Sequence, residues 1–90
     1  MNIGYTNNPG EVTFDIDKVP KAIEYILLFA QSPAPVNNDE WYSRLCSNSK
    51  GTLKGLESGK KYVFKAAASS PEANKMGSYN YTAVVEKQLP

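Results

Sequence analysis

The seven residues Leu56-Glu57-Ser58-Gly59-Lys60-Lys61-Tyr62 constrain the fold of this chain more than any others. A Ser-Gly pair between two apolar stretches marks a tight turn. The side chains after it alternate, so that Tyr62, Phe64, Ala66 and Ala68 share one face of a strand. The tyrosine just after this turn reads as closing a tight corner between two β-strands, with its ring inward. That sets a register. Tyr62, Phe64, Ala66 and Ala68 point inward, and Val63, Lys65 and Ala67 point outward.

The same alternation runs from end to end, and no apolar stripe repeats at helical spacing for more than a turn or two. After the turn signal Asn7-Asn8-Pro9-Gly10, Val12, Phe14 and Ile16 alternate with Thr13, Asp15 and Asp17. Further strands are expected over Ile23 to Gln31, Glu40 to Ser47, Ser49 to Leu56, Lys60 to Ser69 and Ser78 to Lys87. Ile3 and Tyr5 mark a brief first strand within a weak leader, 1–9. Pro- and Asn-rich loops separate these segments at Ser32 to Asp39 and at Ser70 to Gly77. The tail Gln88-Leu89-Pro90 is expected to fray. The pattern predicts one all-β domain over residues 1–90 with about seven strands.

Composition narrows the function. A chain of 90 residues buries only about 60 to 70% of the surface its unfolded form exposes, so its core is small. Ten Lys or Arg against nine Asp or Glu give a net charge of +1, which lacks the basic excess of a domain that grips phosphates, and no nucleic-acid partner is expected. The longest apolar run, Tyr25 to Ala30, suits one strand and not a membrane span. Cys46 is the single cysteine, which rules out an intrachain disulfide and reads as a small buried hydrophobe. Met1 leads into Asn2-Ile3-Gly4-Tyr5 without a signal-peptide pattern, as expected of a cytoplasmic protein or of a piece of a longer cell-surface one.

The corner and the strand after it resemble the tyrosine corner of fibronectin type III domains. Ala22 with Tyr25 is similar to the small residue and tyrosine that lead into the family's third strand, and Gly77 with Tyr81-Thr82 to the approach to its last one. The resemblance covers about Glu11 to Lys87. A tryptophan early in the fourth strand and the short Ser-Gly corner resemble bacterial members. One departure is plain: Ile16 stands where the family carries a tryptophan. The resemblance implies an all-β, two-sheet antiparallel Greek-key sandwich of the immunoglobulin-like kind, serving as a non-catalytic interaction, adhesion or spacer module, with Leu56, Gly59 and Tyr62 as a structural corner whose phenol holds a backbone group a few residues upstream.

Chemistry is sparse. Histidine is absent, which removes the commonest general base, and Ser49, Ser58 and Ser69 have no base to activate them. No enzyme activity and no cofactor are expected. Asp15 and Asp17 share a face, as a pair of catalytic or metal-binding acids would, but binary patterning already makes that face the solvent side, and no metal is expected. Two surface readings remain. With Tyr25, Leu27 and Phe29 inward, Ile26 and Leu28 point outward beside Val63 and Ala67, a candidate protein interface for another protein, a neighbouring domain or a second copy. Alternatively, Lys65 and Arg44 lay their aliphatic stems across that patch. Trp41, Tyr42 and Tyr79 are candidates for stacking a sugar, the alternative function being a carbohydrate-binding accessory domain. Alternation along the strand would instead turn one of the adjacent pair, Trp41 and Tyr42, inward.

Overall fold

The computed structural model describes residues 1–19, 22–37, 40–69 and 81–90. Seven strands run in chain order: β1 (Asn2–Tyr5), β2 (Val12–Asp15), β3 (Glu24–Gln31), β4 (Tyr42–Cys46), β5 (Lys50–Leu53), β6 (Lys61–Ser69) and β7 (Val85–Gln88). They form two antiparallel sheets, of order β1-β2-β5 and β4-β3-β6-β7. Hairpin neighbours pair within a sheet, whereas the β2–β3, β4–β5 and β5–β6 connections cross between sheets, which makes the expected all-β, two-sheet antiparallel sandwich.

Between the sheets lies the main core. Val12, Phe14 and Ile16 enter it from one side, and Tyr25, Leu27, Tyr62, Phe64 and Ala66 from the other. Thr13, Asp15 and Asp17 face solvent, as binary patterning requires. Alanine is a poor strand former, yet Ala66, Ala67 and Ala68 run through the middle of β6. The register explains them: they lie opposite Leu27, Ile26 and Tyr25 of β3, so small residues leave room for large ones on both faces of the sheet.

Two expectations about the ends need correction. The last strand is shorter than Ser78 to Lys87: it covers Val85–Gln88, residues 78–80 lie outside the described residues, and Thr82 reaches β6 separately. There the Thr82 N–H donates to the Ala66 carbonyl at 2.7 Å, and the Ala66 N–H donates to Thr82 Oγ1 at 3.1 Å. Nor does the tail fray. Leu89 is only 1% exposed, within the main core, and its N–H donates to the Lys60 carbonyl at 2.9 Å. The Pro90 carbonyl accepts from the Gly59 N–H and the Ser58 hydroxyl. An apolar side chain that fills the sandwich end outweighs the fraying that chain termini otherwise favour.

Candidate functional site

The corner is built as its residues imply. Tyr62 and Leu56 are buried, and the Tyr62 hydroxyl accepts a 2.9 Å hydrogen bond from the Glu57 N–H. The chain turns through Glu57 to Lys60 with Gly59 at a φ of 79°, the sign that a type II turn demands at its third position and that glycine adopts without strain. Behind the corner, the Leu56 N–H donates to the Gly10 carbonyl at 2.9 Å, and a Cβ at Gly10 would collide with the Leu56 carbonyl. A second tyrosine does the same work at another inter-sheet crossing: the Tyr25 hydroxyl accepts from the Val19 N–H at 3.1 Å. Tyr62→Phe removes the acceptor from the Glu57 amide and is expected to cost about 1 to 3 kcal/mol. The check is the urea midpoint; an unchanged midpoint would mean that water replaces the phenol at no cost.

The outward face of β3 and β6 carries the side chains expected of it, but it is not an exposed patch. Leu28, Val63 and Ala67 are 6%, 2% and 3% exposed, and Ile26 is half-buried. Trp41 makes the difference. Its ring joins Leu28, Ala30 and Val63 in a second apolar cluster, so the middle of this sheet is covered on both faces. Lys65 Nζ lies over Trp41, 4.7 Å from the ring centroid, and 4.8 Å from that of Tyr81. Lys65 thus shields the face, whereas Arg44 does not. It pairs with Leu27, on the side of the main core. What stays exposed of this aliphatic strip is Leu45, on the edge strand β4 and cross-strand from Ile26.

The proposed sugar platform also divides. Trp41 is buried in the second cluster, and Tyr42 lies on the other side of the sheet, paired with Phe29 and largely exposed. Tyr79 lies outside the described residues. Alternation separates the two adjacent aromatics, so they cannot offer one surface.

Tyr42 belongs instead to an open groove of about 510 Å³ at the margin of the sandwich. β4 extends the four-stranded sheet, and the chain leaving β5 through Lys54, Gly55 and Leu56 forms the facing wall. Phe29 and Tyr42 stack on the sheet side with ring centroids 5.7 Å apart and planes 27° apart. Beside them on β3, Gln31 Nε2 donates to Glu57 Oε2 of the facing wall at 3.0 Å, and Tyr62 completes the lining. Thus the corner that fixes the fold also fixes a wall of the groove: Glu57 is held by its amide to Tyr62 and by its carboxylate to Gln31. Phe29, Gln31 and Lys54 carry no sequence signal for this role, because the groove arises from pairing between distant strands.

Elsewhere the polar groups are structural. Asp15 pairs with Lys50 at 3.9 Å across the β2–β5 ladder, in solvent, where such a pair contributes little. Burial pushes the Cys46 thiol up, with Arg44 opposing, which favours the protonated form over the nucleophilic thiolate. Among the described residues no group of three His, Cys, Asp or Glu gathers to hold a metal, and no helix is long and apolar enough to cross a membrane. No family model matches the chain, and no curated protein matches it.

Proposed function

We propose that this chain is a non-catalytic interaction module of the fibronectin type III kind, acting as a spacer or docking domain within a larger protein or assembly. The observation that carries the reading is the Tyr62 hydroxyl holding the Glu57 amide at the crossing between a three-stranded and a four-stranded sheet, the arrangement the family's tyrosine corner implies. The chemistry agrees with it, since the chain has no histidine and its only thiol is buried and protonated.

Leu45 on the edge strand β4, with its half-buried cross-strand neighbour Ile26 on β3, is the part of this aliphatic strip that keeps apolar surface for a protein contact. The test places the photo-cross-linker p-benzoylphenylalanine at position 45, or at the exposed position 13 on the other sheet, and irradiates the parent protein in its own cells. Adducts at 45 and not at 13 are expected, and they should disappear under competition by the unlabelled domain but not by its Leu45→Lys variant. Equal adducts at both positions, or none at 45, overturn the assignment. Because Leu45 is 64% exposed, Leu45→Lys should change stability by no more than about 0.5 kcal/mol, which a thermal melt checks.

A further inference from the structure

We infer that the groove between β4 and the β5–β6 corner is a binding site for a neutral pyranose sugar, with Tyr42 as its stacking surface. The inference does not depend on the family reading, since it stands on the groove alone.

Three observations carry it. First, Tyr42 is 69% exposed yet fixed in place by its stack on Phe29. An exposed ring held by a neighbour has already lost the freedom that binding would otherwise cost it. Second, the groove is polar where it is not aromatic, and its groups are of both kinds. Lys54 brings donors, while the Gln31 carbonyl and the second Glu57 oxygen remain as acceptors after the bond between those two side chains. Among the described residues the Tyr62 hydroxyl only accepts, so it keeps a proton to donate. Third, the charges of Lys54 and Glu57 cancel, which favours a neutral ligand over an ionic one.

A pyranose matches this set. Its C–H face lies flat on a phenol ring, and its equatorial hydroxyls each donate and accept, as the mixed wall requires. The volume lies within the range of small-molecule sites. A peptide is a poorer match, because one that adds as a strand would take the free backbone edge of β4 and would not use the Tyr42–Phe29 stack or the mixed polar wall.

The experiment titrates isotopically labelled protein with cellohexaose, maltohexaose and chitohexaose at millimolar concentration and follows the amide spectrum. At least one sugar should shift amides around residues 29–31, 42, 54–57 and 62. Trp41 emission should stay unchanged, since that ring lies on the opposite side of the sheet. Tyr42→Ala should weaken binding on the order of tenfold, and Tyr42→Phe, which keeps the stack, should retain most of it. The exposed site makes Tyr42→Ala safe for folding, which its own melt verifies. No shifts with any of the three sugars, shifts outside the groove, or unchanged affinity in Tyr42→Ala overturns the proposal. So does a decaproline peptide that shifts the groove amides when the sugars do not.

Discussion

Leu28→Lys is expected to leave most of the protein unfolded at 25 °C. Leu28 is 6% exposed, packed with Ala30, Val63 and the Trp41 ring, on a strand flanked by β4 and β6. Losing a buried leucine costs about 2 to 5 kcal/mol, and an unpaired ammonium in its place costs several more. The lysine would also face Lys65, its direct cross-strand partner, so like charges would repel where an apolar pair stood. A domain of 90 residues holds only about 5 to 13 kcal/mol in all. Circular dichroism and Trp41 emission read the outcome, the latter moving to its solvent-exposed wavelength. Native spectra and an unchanged melting temperature would instead show Leu28 open to water and would restore an aliphatic docking face at Ile26, Leu28, Val63 and Ala67. Leu45→Lys, a short distance along the same sheet, is the matched control that should stay folded.

Leu89→Ala should be nearly as damaging, although it changes the penultimate residue. With 1% exposure the side chain fills the end of the main core beside the corner, and truncation there is expected to cost about 2 to 5 kcal/mol. For a domain of this size that lowers Tm by on the order of 10 °C or more. The buried Cys46 thiol offers a second measure, since it meets an aromatic disulfide reagent only when the sandwich opens. Its labelling should accelerate markedly in Leu89→Ala. A loss within the error of the melt would describe a frayed tail.

The two sides of this molecule were unequally legible in its sequence. Strands announce themselves by local alternation, and Val12-Phe14-Ile16 and Tyr62-Phe64-Ala66 point as their spacing implies because one face had to be apolar. The corner was legible for the same local reason: its turn, its glycine and its tyrosine lie within seven residues. Burial of the second face was not legible. Alternation says which way Leu28 and Val63 point, but whether water meets them depends on Trp41, which arrives from the far side of a long loop. Leu89 misled in the opposite sense, since nothing within the last three residues tells that the corner's backbone awaits them. The groove is the extreme case, because Phe29, Tyr42, Lys54 and Glu57 meet only through the pairing of β3 with β4 and the crossing after β5.

Tying a turn to the core through a phenol has a consequence for how the molecule breathes. The Glu57 amide belongs to no strand, yet its partner is a phenol whose ring is packed in the main core with Leu56 and Phe64. The bond therefore ties the turn to the core, and the Glu57 amide should exchange more slowly than the other amides of the turn. A turn anchored in this way gives the groove one wall that is held at Glu57 from two directions, by the core phenol and by Gln31.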